Sequence, residues 1–190
     1  MPNWCSNRIS FEGTEKAMQT FKKDVASIKD AHCLFTALTD IKSEWSYDVW
    51  INEFGTKWSV WMDDDIREAM EQFDYFNCET AWSPCTEFVQ KVCKKYGVEG
   101  RIEYSEPKND FGGVVEIDVN GDEVSREEMS YREYQYNYLG TDGFFEDFDN
   151  DVEEGLIESE EQIVKDYYYV NDDDMEEMLK TYREINRTEN

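Results

Sequence analysis

Two neighbouring runs with a period of two limit most what this chain can fold into. From Trp58 to Met62 the residues Trp58, Val60 and Met62 share one parity. From Phe76 to Trp82 the bulk again falls on one parity, at Phe76, Cys78, Thr80 and Trp82. Alternation rich in aromatic and β-branched residues predicts strands with one buried face. The second run leads into a helix start. Ser83 suits the N-cap and Pro84 the first helical position; Phe88, Val89, Val92, Cys93 and Tyr96 then follow at helical spacing until Gly97. Two strands therefore feed a helix over 84–96 that must fold back onto their sheet.

The flanking segments extend this unit. Cys5, Asn7, Ile9 and Phe11 alternate with Trp4, Ser6, Arg8 and Ser10, a first strand ended by Gly13. Thr14 caps a helix over 14–29 whose inner face is Met18, Phe21, Val25 and Ile28. Residues 31–49 are irregular with apolar patches and no Gly/Ser/Pro tract, a packed connection. Arg101–Glu106 reads as another strand, Pro107 to Gly113 as a loop, and Val114–Val119 as a further strand. Asn120-Gly121 is a strong hairpin-turn signal. The order β-α-β-β-α-β with one added hairpin element predicts an α+β, ferredoxin-like fold: an antiparallel sheet with helices on one face.

The opening Met1-Pro-Asn-Trp-Cys-Ser-Asn-Arg, the stretch Trp50-x-x-x-Phe-Gly-Thr-Lys-Trp58, the run Thr80-Ala-Trp-Ser-Pro84 and the later Tyr104-x-Glu106 with Phe111-x-Gly113 occur in this order. On these motifs residues 1–120 resemble the YubB-type ferredoxin-like family of phage and plasmid proteins. Phe54 departs from the family's usual Trp, and Cys85 from its usual second Pro. The resemblance implies a fold and a mobile-element origin, but carries no chemistry over to particular residues.

Residues 121–190 read as an acidic, mainly helical extension packed on the first domain. Ser125 with Glu128 forms a capping box, followed by Met129, Tyr131, Tyr134 and Tyr138 on one helical face. Phe144–Glu154 alternates aromatics with acids, and helices follow over Ile157–Tyr169 and after Asp172.

Charge narrows the function classes. The chain carries 45 acidic and 19 basic residues, a formal net charge of −26, although a few net charges suffice for solubility. Residues 1–120 hold 22 acids and 13 bases, and residues 121–190 hold 23 and 6. Such an excess costs stability through self-repulsion and argues against direct binding to nucleic acid or an anionic membrane. It favours a basic partner, cations or a high-salt habitat. Five cysteines without a C-x-x-C pair (Cys5, Cys33, Cys78, Cys85, Cys93) suit a reducing cytosol, three of them as small core residues. The chain has no apolar N-terminal segment and no membrane-length run. A location in the host cytosol follows as the expectation.

The residues offer little to an enzyme. His32 is the single histidine, and no nucleophile-elbow, Walker or dinucleotide-binding loop occurs. Carboxylate pairs are too common here for any one to be specific. A non-enzymatic protein without a cofactor is expected. Asp147, Asp149, Asp151 and Glu158 match positions 1, 3, 5 and 12 of a calcium loop, but Val152 stands where that loop needs Gly, so only weak calcium binding is expected.

The acidic surface is the remaining feature. Its plain reading is a solvated face, and its functional reading is nucleic-acid mimicry. Duplex DNA carries one charge per about 1.7 Å of axis, so the excess charge of residues 121–190 matches about 30 Å of duplex. The carboxylates expected to contact a basic nucleic-acid-binding partner, such as a CRISPR effector or a restriction-type host nuclease, fall in four groups. They are Asp63, Asp64 and Asp65; Asp147, Asp149, Asp151, Glu153 and Glu154; Glu160 and Glu161; and Asp172, Asp173 and Asp174. The alternative is a structural or binding module of another kind.

Overall fold

In the computed structural model the chain divides into two units, Met1–Tyr131 and Arg132–Asn190. The structure describes residues 3–42 and 45–131, together with Tyr134 and Tyr138. The capping, calcium-loop and helix readings beyond residue 138 lie outside the described residues.

The first unit runs β1 (Trp4–Glu12), α1 (Glu15–Ser27), α2 (Leu34–Leu38), α3 (Tyr47–Phe54), α4 (Asp64–Phe73), β2 (Tyr75–Ala81), α5 (Thr86–Tyr96), β3 (Glu99–Glu106), β4 (Phe111–Ile117) and β5 (Glu123–Met129). The strands form one antiparallel sheet in the order β2-β1-β3-β4-β5. Both β2 and β3 are antiparallel to β1 and flank it, so β2–α5–β3 is a split βαβ unit with β1 inserted. The α+β, ferredoxin-like expectation holds for this unit.

Alternation along β1 explains why one sheet face is covered. Cys5, Asn7, Ile9 and Phe11 are buried, and Trp4, Ser6 and Arg8 are exposed. Onto the buried face pack Phe21 and Val25 of α1 and Phe88, Val89, Val92 and Cys93 of α5. Thr14 caps α1 by accepting from the Ala17 N–H at 3.3 Å. Gly97, in the left-handed region at φ 66°, ends α5 with its N–H on the Cys93 carbonyl. Gly100 has no room for a side chain: a Cβ there would lie 2.5 Å from Cys93 Sγ.

The structure corrects several expectations. Residues 58–62 form no strand of the sheet. They run extended against residues 31–34, with one isolated bridge between Cys33 and Trp61. The Leu34 and Met62 N–H groups donate to the Val60 and His32 carbonyls at 2.8 and 2.9 Å. Their alternation is satisfied by burying Val60 and Met62 in the core, while Trp58 stays 37% exposed. Trp82 is likewise not buried. It leaves the strand at φ 70° and is 42% exposed. Cys78, expected in the core, is only partly covered. An unforeseen helix, α4, separates the two runs that were expected to neighbour each other, and α2 and α3 fill the expected irregular connection.

Helix α5 starts at Thr86 rather than at Pro84, because Ser83 is occupied elsewhere: its Oγ donates to the Gly55 carbonyl at 2.6 Å. The loop expected up to Gly113 closes earlier, and Phe111 to Gly113 already belong to β4. The Asn120-Gly121 turn joins β4 to β5, with Gly121 at φ 82°. Residues 123–129 form β5, so Ser125 and Glu128 are not a capping box. The ladder to β4, Gly113 opposite Glu128 and Glu116 opposite Ser125, outweighs the local helix signal.

A tryptophan-lined cavity at the sheet edge

Strand β2 closes one edge of the sheet, and what lies beyond it is the most distinctive surface of the described residues. Thr56 fixes the direction of the edge groups. Its Oγ1 accepts from the Ala81 N–H and donates to the Ala81 carbonyl, both at 3.1 Å. In a strand both backbone groups of one residue point the same way, and alternate residues point oppositely. Ala81, Glu79, Asn77 and Tyr75 therefore aim their backbone groups away from β1. Thr80, Cys78 and Phe76 pair with Cys5, Asn7 and Ile9. Thr56 takes the place of a neighbouring strand at Ala81 alone.

The segment after α3 builds the wall opposite this edge. Ser46 caps α3 and Gly55, at φ 79°, ends it, which directs the chain towards β2. Trp50 Nε1 donates to Ser59 Oγ at 2.8 Å, and Trp45 Nε1 to the Lys57 carbonyl at 3.2 Å. The Trp58 ring lies 5.7 Å from that of Trp4 on β1. Between wall and edge opens a cavity of about 800 Å³ lined by Trp4, Trp45, Trp50, Trp58 and Trp61. Five of the six tryptophans of the chain meet there. Val60, Ile66 and Cys33 extend the apolar lining, and Asn77, Cys78 and Glu79 of β2 close it.

The electrostatics of the cavity are one-sided. Among the described residues its charged lining groups are the carboxylates Asp63 and Glu79, and no basic side chain lines it. Lys57 sits outside, its ammonium 4.5 Å from the Trp82 ring centre, 5.4 Å from Trp58 and 5.8 Å from Tyr47. These rings already hold a cation of the protein itself, an attraction arising from the negative faces of the π systems. The thiols behind the edge are chemically quiet. Burial pushes Cys5 up to about 12 and Cys85 well above its ordinary value. Neither forms a thiolate at neutral pH.

Of the sequence-predicted site residues, Asp63, Asp64 and Asp65 are described, and the structure gives them helix-start roles. Asp63 Oδ1 accepts from the Ile66 N–H at 2.9 Å, and Asp64 and Asp65 occupy the first turn of α4, where the helix dipole favours carboxylates. Asp63 also reaches the cavity. Asp147, Asp149, Asp151, Glu153, Glu154, Glu160, Glu161, Asp172, Asp173 and Asp174 lie outside the described residues. His32 is exposed, and its backbone carbonyl accepts from the Met62 N–H. Among the described residues no three metal-binding side chains gather, and no helix is long and apolar enough to cross a membrane.

Sequence reasoning missed Trp4, Trp45, Trp61, Asn77 and Glu79 as a group. The available signal was density: five tryptophans fall within the first 61 residues.

Residues 57–143 match the family model of the ferredoxin-like domain in Api92-like protein. The chain is also similar to the crystal structure of a protein api92 from Yersinia pseudotuberculosis. The two share 11% identity over 68% of this chain and 99% of that one, with a TM-score of 0.40. No curated protein matches the sequence.

Proposed function

We propose that the chain is a non-enzymatic binding protein for a basic, nucleic-acid-binding partner. The partner class is a host defence nuclease of the CRISPR-effector or restriction type, inhibited when carboxylates occupy the place of nucleic-acid phosphates. The observation that carries this reading is the net charge of −26. A field of that size raises association rates with a positive surface and repels nucleic acid. The YubB-type resemblance of residues 1–120, with its phage and plasmid origin and a cytosolic setting, belongs to the same proposal.

The charged groups of a mimic act collectively, because each is screened over about 8–10 Å in physiological salt. The test is protection of a nuclease's target in cells that co-express this protein, across a panel of CRISPR effectors and restriction enzymes. Inhibition of at least one enzyme is expected. Neutralising Asp172, Asp173 and Asp174 together, or Asp147, Asp149 and Asp151 together, should weaken that inhibition by more than about tenfold and flatten its salt dependence. Unchanged inhibition by both triple variants at every salt concentration would reduce the acids to a solvated face.

A second reading is a binding module of another kind, and one observation favours it: the tryptophan-lined cavity. Solvent-exposed aromatic surface of this extent marks recognition more often than folding. Weak calcium binding at Asp147, Asp149 and Asp151 would show as a rise in melting temperature with added calcium.

A further inference from the structure

The cavity and the strand that closes it fit one kind of occupant. We infer that the outer edge of β2 receives an extended, cationic peptide segment as an added antiparallel or parallel strand, with an arginine or lysine side chain lying against the tryptophans. This rests on the reading that the partner is basic and assigns where on the chain a segment of it docks.

Three observations converge on it. The first is the edge itself. Asn77 and Glu79 direct their N–H and C=O groups outward, and among the described residues β2 is the last strand on that side. Peptides that add to a sheet edge take their affinity from such groups and their specificity from pockets for alternate side chains. The second is the aromatic wall beside this edge. Trp61 is 58% exposed, Trp4 43% and Trp58 37%. Leaving such rings exposed to solvent adds little to the core, whereas large amphipathic rings bind ligands at low entropic cost. The third is charge. Among the described residues, Asp63 and Glu79 are the charged groups of the lining, and both are acidic. A guanidinium or ammonium entering there finds carboxylates and ring faces together, and Lys57 already uses such ring faces beside the cavity. An anionic or neutral ligand would leave the Glu79 carboxylate without a counter-charge as water is expelled.

Selecting a displayed library of short random peptides on the purified full-length protein tests this, with Asn77→Pro as the counter-selected variant. Proline at 77 removes an outward N–H and no ladder bond to β1, a position at which edge strands tolerate it. The enriched peptides should be rich in arginine or lysine and poor in proline. They should bind Asn77→Pro at least about tenfold more weakly. N-methylating alternate backbone amides of an enriched peptide, or replacing its arginines by citrulline, should cost a similar factor. If Asn77→Pro does not fold, the double variant Trp61→Ala with Glu79→Gln serves in its place, since both side chains are exposed. Proline-rich or acidic winners, binding insensitive to N-methylation, or no enrichment over the variant would each overturn the inference. So would binding of oligosaccharides in competition with the winners. Nuclease inhibition that persists in Asn77→Pro, alongside lost peptide binding, would leave the peptide site standing but detach it from inhibition. Lost inhibition in the acid-neutralised variants, with peptide binding intact, would show two separate surfaces.

Discussion

The two edges of the sheet treat the same physical problem in opposite ways. An edge strand offers a row of backbone groups to any passing chain, and soluble proteins blunt it with charge. Strand β5 follows that rule. Its side chains are Glu123, Arg126, Glu127 and Glu128 among others, all exposed, and Arg126 holds Glu123 at 2.6 Å and Glu128 at 3.1 Å. Strand β2 does not. Apart from Glu79 its outward positions carry Tyr75, covered by Arg8 at 4.2 Å, Asn77, and Ala81 held by Thr56, and tryptophans stand beside it. Among the described residues, one edge carries paired charges along its strand and the other is bordered by an apolar, acidic cavity. The difference teaches that the β2 edge is kept open for something to be received there.

The largest effect separates the inner and outer sides of β2. Phe76, buried beneath the strand, should cost about 3–5 kcal/mol when cut to Ala, as for large core deletions. Trp61→Ala, on the cavity side, should cost about 1 kcal/mol or less. Urea denaturation measures both. Equal losses would break the comparison, because the aromatic wall would then be part of the folding core.

Alkali sharpens it further. Cys5 beneath β1, Cys85 at the start of α5 and Cys93 within α5 have folded-state values raised by burial, Cys5 and Cys93 to about 12. In the unfolded chain these thiols ionise near 9. Between the two values the folded state holds more protons, so stability is full below pH 9 and falls as pH rises towards 12. The slope is on the order of 1.4 kcal/mol per pH unit for each thiol. Replacing Cys93 by Ala should flatten this loss in thermal melts recorded from pH 8 to 11, whereas changes on β5 should not.

A smaller effect concerns Trp58. Its exposure places the cost of Trp58→Ala at about 1 kcal/mol or less, well under that of a core aromatic. A loss as large as that of Phe76→Ala would return residues 58–62 to the core.

The smallest belongs to β5. The Arg126 hydrogen bonds hold Glu123 below its ordinary value, and hydrogen bonds from the Asp122 and Asn120 groups do the same for Asp118 in the turn. Stability from these lowered carboxylates is present above their unfolded values and is lost as pH falls through the folded ones. Arg126→Ala should therefore change stability at neutral pH by at most about 1 kcal/mol, and by less in high salt. Its clearer consequence should be a smaller loss of stability as pH falls through the carboxylate range, read by thermal melts from about pH 3 to 7.

Much of the first unit was legible because its signals are local. Alternation at Cys5–Phe11, the cap at Thr14, the 3- and 4-residue spacing of α1, the apolar face of α5 and the Asn120-Gly121 turn each fix an element with no distant help. The α+β, ferredoxin-like class followed from their order. Tertiary structure alone decided what the alternating residues pair with. The run from Trp58 to Met62 has the pattern of a strand, but its backbone bonds to residues 31–34 while Val60 and Met62 enter the core, which removed the expected strand beside β2. Ser125 and Glu128 spell a helix start, yet pairing with β4 supplied more hydrogen bonds than a cap could. The cavity was illegible for the same reason. Its tryptophans come from β1, α3 and three loop positions, and only the closure of the sheet by β2 brings them to one edge. Periodicity reports which side of an element is apolar; the partner that covers it, or leaves it open, is set by contacts far apart in the chain.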